Sequence, residues 1–380
     1  MTLRTLQIGM EWFGEQPGGL NRVYAHLLVQ LAAMDVESYG LVAGSPNVER
    51  ESGGLAHAFA GSDAPLPSRL RGLRGAALPW LRAHDDAVIV SHFALHALPL
   101  LDKLDEYPFV VHFQGPWGRE SRLEGASRLS SLAKETVERL VYRRAGAAIA
   151  LSGAFAEILH SRFGVQRERI HVIPGGVESA RFAQTRAQHE CRAELGWPSD
   201  RPVVLCVRRL VRRVGLDALV EAAADVRRRV PDVLILIAGA GPMRAELEAQ
   251  ISLRQLSDTV RLLGFLPDDQ LPLAYRAADL TVVPSMALEG FGLITVESLA
   301  AGTPCIVTPV GGLSEIIAPF APQLVTKSVS VADIADTLSR ALRREIPVPS
   351  AEECASYARS RFDWSVVAQR VRAVYEGAAA

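Results

Sequence analysis

The sequence predicts an α/β protein built as two doubly wound parallel sheets, one in each half of the chain. Three observations carry this. Short apolar runs of strand length alternate with longer helical patterns from end to end, as in parallel sheets covered by helices on both faces. A polar stretch from about Gly175 to Arg201, with GG, PS and DRP breakers, separates the two series and reads as a linker. The chain of 380 residues is long enough for two cores of ordinary size.

Composition narrows the function classes. Hydrophobic residues at 49% and charged residues at 22% describe a globular chain, and a formal net charge of -1 offers no basic excess for a nucleic-acid backbone. The four cysteines never form a C-x-x-C pair, which argues against a zinc or redox motif and for a reducing compartment. No signal-like N-terminus and no apolar run of membrane-spanning length occur, so a cytoplasmic protein is expected.

In the first half the expected strands are Leu6 to Gly9, Glu37 to Val42, Ala87 to Ser91, Phe109 to Phe113, Ala147 to Leu151 and Ile170 to Ile173. The first leads into Gln16-Pro17-Gly18-Gly19, directly ahead of a helical pattern. Gly18 and Gly19 there are either an ordinary turn or a place where a ligand meets the backbone and the helix dipole. The pattern is not G-x-G-x-x-G, so a nicotinamide cofactor gains no support. Residues 66–82 mix four arginines with leucines and Trp80, and read either as a solvated surface segment or as a basic face for peripheral membrane contact. Gly72, Gly75 and Pro79 are expected to break a helix there.

The strand Phe109 to Phe113 runs through His112 into Gln114-Gly115-Pro116-Trp117. His112, inside an apolar strand, is either a satisfied core histidine or a catalytic one. Gln114, at the strand's end, is better placed to meet a substrate. Ser152, past the next strand, is either a ligand contact or a helix N-cap.

In the second half the expected strands are Val203 to Val207, Val233 to Ala238, Val260 to Leu263, Leu280 to Val283 and Cys305 to Thr308. Arg208, Arg209, Arg212 and Arg213 follow the first of these, where a cluster of guanidinium groups can clamp an anion. Gly239-Ala240-Gly241 is a second close-approach turn, and Leu266, after the third strand, is placed to border a base. Pro284 to Ile317 holds the strongest signal. Glu289 and Glu297 flank a Gly-Phe-Gly turn ahead of an apolar helical stretch, an arrangement that suits a diphosphate carried by hydroxyl-rich groups.

Taken in chain order, PGGLNR, HFQGPWGRES, VIPGGVESARF, RRLVRRVGLDALVEA, IAGAGP, LLGFLP, ADLTVVPS, EGFGLITVESLAAGTPCIVTPVGGLSE and FDWSVVAQRVRAVYE resemble the retaining glycosyltransferases of family 4. The resemblance implies the GT-B fold, two Rossmann-like domains facing each other across a cleft, with residues 1–185 on the acceptor side, 186–360 on the donor side and a C-terminal helix, 361–380, crossing back. It implies that Glu289 meets hydroxyls of the donor sugar, that Glu297 holds the ribose, and that the backbone at Phe291, Gly292 and Leu293 meets the diphosphate or sugar. Arg209 matches the family's diphosphate-binding arginine, and Gly18 and Gly19 match its glycine loop. Two positions depart from the pattern: Val214 stands where a lysine is common, with Arg213 or Arg212 as the substitute charge, and Gln114 where a histidine is common.

The function so implied is transfer of a hexose, with retention, from a UDP- or GDP-sugar such as UDP-glucose or GDP-mannose to a glycan, lipid-linked or small-molecule acceptor. The nucleotide sugar is a co-substrate, no cofactor is held permanently, and no metal is required. A cytoplasmic location follows, with or without contact at the inner membrane face. Two rivals are a nucleotide-sugar epimerase on the same scaffold and a non-catalytic nucleotide-sugar-binding subunit.

Overall fold

The structure is a computed structural model that describes residues 2–123 and 125–380. The chain forms two compact units, one of residues 1–176 with 364–380 and the other of residues 177–363.

In the first unit, seven strands form one sheet: β1 (Arg4–Glu11), β2 (Glu37–Ala43), β3 (Ala56–Ala60), β4 (Val88–Ser91), β5 (Phe109–Phe113), β6 (Ala147–Ala150) and β7 (Ile170–Val172). Their spatial order is β3-β2-β1-β4-β5-β6-β7, and every pairing is parallel. Register sets Leu6 beside Tyr39 on one side and Ile89 on the other. The central strands are apolar on both faces because helices cover both, which is why they read as continuous runs rather than alternating ones. β3 is the strand that the sequence did not predict. AHAFA has no β-branched residue and only its first position is buried, as befits an edge strand.

The second unit repeats the plan with β8 (Val203–Val207), β9 (Leu234–Ala238), β10 (Val260–Gly264), β11 (Leu280–Val283) and β12 (Cys305–Val307), in the order β10-β9-β8-β11-β12, again all parallel. Both sheets are therefore doubly wound and Rossmann-like. In each, the winding reverses beside the first strand, between β1 and β4 and between β8 and β11. That reversal opens a crevice at the carboxyl ends of those strands.

Two local expectations change. The segment 66–82 is one continuous helix, Leu66–Ala83, despite Gly72, Gly75 and Pro79. Gly72 has a packing reason, since a Cβ on it would lie 2.3 Å from the carbonyl oxygen of Phe59 on β3. Arg69 and Arg74 are held by His96, the Pro99 carbonyl and Asp102, while Leu73, Ala77 and Leu81 are buried. The passage between units also lies at Gly176–Val177, ahead of the expected 185/186. The Val177 N–H donates to the Phe362 carbonyl, and the helix Ser179–Phe182 packs on the helices Leu271–Ala277 and Leu293–Ala300 of the second unit.

Candidate active site

The second unit's crevice is built from what directly follows β8 and β11. β8 ends at Val207 and presents Arg208; β11 ends at Val283 and presents Pro284 and Ser285. Arg208 Nη2 donates to Glu289 Oε2 over 2.6 Å and to Ser285 Oγ over 3.0 Å, and Ser285 Oγ donates to the same Oε2 over 3.0 Å. All of this is nearly out of water, with the side chains of Arg208 and Glu289 exposed by 9% and 13%. Oε1 of Glu289 accepts no hydrogen bond from a described residue, so one carboxylate oxygen is anchored and the other is available to a hydroxyl.

Glycines lock the backbone around this cluster. A Cβ on Gly311, at φ +55°, would lie 1.8 Å from the Glu289 carbonyl oxygen, which also accepts from the Gly312 N–H at 3.0 Å. A Cβ on Gly239, at φ +145°, would lie 1.9 Å from the Arg208 carbonyl oxygen. Gly239 thus makes room for the chain that presents Arg208, where the sequence suggested a direct ligand approach.

Glu297 lies within the helix Leu293–Ala300 and is buried, its Oε2 accepting from the Tyr275 hydroxyl at 3.0 Å. The helix begins after Gly292, which is left-handed at φ 91° and offers no side-chain cap, so the first N–H groups at Leu293 remain unsatisfied by a cap. Phe291 is buried with its ring 5.8 Å from that of Phe362, leaving its backbone as the part able to meet a ligand.

The arginines divide the work. Arg208 holds Glu289, while Arg209 is exposed. Arg213 donates to the Leu288 carbonyl at 3.2 Å, and its own carbonyl accepts from the Met286 N–H, so it ties down the loop that carries Glu289. Val214 is buried and Arg212 pairs with Glu246 on the surface. Leu266 is half-buried beside the exposed Phe265. Sequence reasoning missed Arg208 as the partner of Glu289, and it missed Ser285 and Tyr275. The available signal was position, since Arg208 and Ser285 directly follow the two strands that flank the reversal.

In the first unit, His112 occupies the core. It is buried in β5, bonded to the Tyr375 hydroxyl at 2.6 Å and stacked on His92 with ring centres 4.2 Å apart. Burial pushes its pKa down to about 3, so it is neutral at physiological pH. Of the two roles open to His112, the packed core histidine is the one this geometry describes. Gln114 is half-buried at the end of β5, and its buried Nε2 has no hydrogen-bond partner among the described residues. A buried donor left without a partner costs about 1–3 kcal/mol, which calls for a reason. Ser152 caps the helix Gly153–Phe163 by accepting from the Phe155 N–H at 3.2 Å. Gly18 caps the helix Gly19–Ala32 in extended conformation, and a Cβ on Gly18 or Gly19 would meet nothing within 4 Å. Neither packing nor backbone strain requires glycine at these positions. Among the described residues no group of three or more His, Cys, Asp or Glu side chains is placed to hold a metal.

Known proteins share this plan. The profile of the glycosyl transferases group 1 matches residues 187–361, and that of glycosyltransferase family 4 matches residues 17–181. The chain is 30% identical to 2-deoxystreptamine glucosyltransferase of Streptomyces kanamyceticus, over 87% of this chain and 89% of that protein. It is also 30% identical to a GDP-mannose-dependent α-(1-6)-phosphatidylinositol monomannoside mannosyltransferase of Mycobacterium tuberculosis, over 66% of this chain and 70% of that protein. The match to D-inositol 3-phosphate glycosyltransferase of Nocardia farcinica, at 35% identity, spans about half of each, 56% of this chain and 48% of that protein. Among solved structures, Anabaena HepE in complex with UDP and glucose superposes with a TM-score of 0.79 at 19% identity, over 99% of this chain and 100% of that one, a likeness of fold.

Proposed function

This chain belongs to the glycosyltransferases of family 4, and on that premise we propose that it moves a hexose from a nucleoside diphosphate sugar to an acceptor hydroxyl with retention at the anomeric carbon. The observation that carries the reading is the half-anchored carboxylate of Glu289: Oε2 is fixed by Arg208 and Ser285, and Oε1 remains to accept from a sugar hydroxyl. Glu297, with one oxygen on Tyr275, is assigned the ribose. Phe291, Gly292 and Leu293 offer backbone N–H groups at a helix start to the diphosphate, and Arg209 and Arg213 add positive charge.

As the glycosidic bond breaks, negative charge grows on the departing diphosphate, and fixed cations and dipoles aimed at it lower the barrier. We assign that task to the arginines and the helix terminus, with no metal and no permanently bound cofactor. The acceptor hydroxyl passes its proton to the departing phosphate on the same face of the sugar, which preserves configuration. Gln114 is assigned to the acceptor: an amide can donate to and accept from a hydroxyl but does not exchange protons near neutral pH. The first unit, with Gln114, is the proposed acceptor-binding half and the second the donor-binding half. The donor is a UDP- or GDP-sugar and the acceptor a polyol-like small molecule, a glycan or a lipid-linked glycan, in the cytoplasm where nucleotide sugars are made.

The test begins with thermal shifts by UDP, GDP and ADP, since a ligand that binds the folded state raises its melting temperature. Transfer from the nucleotide sugar so identified is then measured on an acceptor panel, with a metal chelator present and absent, and the product's anomeric configuration is read by proton NMR. Glu289→Ala is expected to abolish transfer while leaving the fold intact; near wild-type turnover in that variant removes the assignment. Conversion of the donor without acceptor identifies an epimerase, and tight nucleotide binding without turnover a binding subunit.

A further inference from the structure

The helix Arg128–Tyr142 buries two polar residues beside Val141 and Tyr142 and turns its three leucines outward. Ser131 and Glu138 are buried, Glu138 accepting from the N–H groups of Trp117 at 2.8 Å and Gly118 at 3.1 Å. Leu129, Leu132 and Leu140 are 80%, 59% and 43% exposed. Their spacing puts all three on one face. A shallow depression of about 280 Å³ lies along that face, lined by Leu132 and Leu140 together with Arg139 and Arg143. Both arginines are exposed, and each is steadied by a carbonyl, Arg139 on Arg162 at 3.3 Å and Arg143 on Phe163 at 3.2 Å. The carboxylate lining the depression, Glu135, is already paired with Arg162 at 2.6 Å, so the face keeps a cationic surplus.

Exposed leucines flanked by arginines that pair with no carboxylate among the described residues, on one amphipathic helix, are complementary to an anionic lipid surface, whose acyl boundary takes the apolar side chains and whose headgroups take the charge. We propose that the outer face of the helix Arg128–Tyr142 docks this protein on anionic membranes. The segment 66–82 is less suited to that contact, because Arg69 and Arg74 are occupied by partners inside the first unit. The inference is independent of the catalytic reading.

The full-length protein is sedimented with vesicles of phosphatidylcholine alone and of equal parts phosphatidylcholine and phosphatidylglycerol. Binding is expected to the mixed vesicles only and to weaken with salt. Arg139→Gln with Arg143→Gln is expected to lower partitioning roughly thirtyfold. Leu129→Ser with Leu132→Ser is expected to lower it at least as far, at unchanged melting temperature, since these side chains are exposed. Absence of binding to mixed vesicles at low salt, or binding that neither double variant weakens, overturns the proposal. So does a concentration-dependent dimer without lipid that the leucine variant abolishes, which assigns the face to a second copy.

Discussion

Arg208 and Glu289, 81 positions apart, meet side chain to side chain at 2.6 Å in a site nearly closed to water. Strand β8 delivers the arginine and the loop after β11 delivers the glutamate, with Ser285 bonded to both. Breaking one member of a buried pair costs about 3–5 kcal/mol because the other charge is left uncompensated. Arg208→Ala is therefore expected to lower kcat/KM for the nucleotide sugar by at least a hundredfold while UDP or GDP affinity changes little. Added guanidinium is expected to restore part of the activity. Steady-state kinetics with and without guanidinium check this, and equal loss of nucleotide and sugar binding counts against a role specific to Glu289.

Gly311 acts on the same carboxylate through the backbone. The space for its side chain is taken by the Glu289 carbonyl oxygen, 1.8 Å from a built Cβ, at a φ of +55°. Gly311→Ala is expected to destabilise by about 1–3 kcal/mol and to lower turnover roughly a hundredfold through displacement of Glu289. Urea unfolding alongside kcat/KM separates the two effects.

Gln114 is expected to show the opposite pairing of stability and activity. Its buried Nε2 lacks a partner among the described residues, so Gln114→Ala removes a buried, unpartnered donor. Stability is expected to hold or rise by about 1 kcal/mol, acceptor KM to rise, and nucleotide-induced thermal shifts to stay as in wild type. A drop in stability with unchanged acceptor KM would assign Gln114 to structure alone.

Buried groups are expected to give the stability of the first unit a pH optimum, with Glu138 on the alkaline side and His92, His96 and His112 on the acid side. Burial raises the Glu138 carboxyl to about 7 from an ordinary 4.5, so its contribution is complete below 4.5 and is lost as pH rises towards and through 7. Burial lowers His112 to about 3 from 6.5, so its contribution is present above 6.5 and is lost as pH falls through the range down to 3. The alkaline loss is worth about 3 kcal/mol, and Glu138→Gln is expected to flatten it. Urea titrations of wild type and variant between pH 4 and pH 8 test both limbs.

Much was legible because local chemistry repeats. Eleven of the twelve strands were readable as apolar runs, since a strand buried on both faces must be apolar along its length. β3 escaped because AHAFA, at a sheet edge, has no β-branched residue, whereas the edge strands β7, β10 and β12 carry the Ile or Val residues that mark a strand. Helix Leu66–Ala83 was expected to break at its glycines and proline, and it holds because packing outweighs intrinsic propensity. Sequence alone also singled out Glu289 and Glu297 and the family to which the chain belongs, because both glutamates lie in one short contiguous stretch, 284–317.

What the string could not supply was the pairing across it. Four arginines within six positions are equivalent until β8 is laid beside β11. Only that register sends Arg208 onto Glu289 and Ser285, leaves Arg209 exposed, and turns Arg213 to the Leu288 carbonyl. His112 was likewise open between core and catalysis until Tyr375, from the far end of the chain, closed over it. The sequence by itself thus determined the fold and the family and singled out the residues proposed for the chemistry, because periodicity and motif are local. The tertiary structure alone decided which arginine holds the carboxylate and which histidine is spent on packing, because those contacts join residues that only the doubly wound sheets bring together.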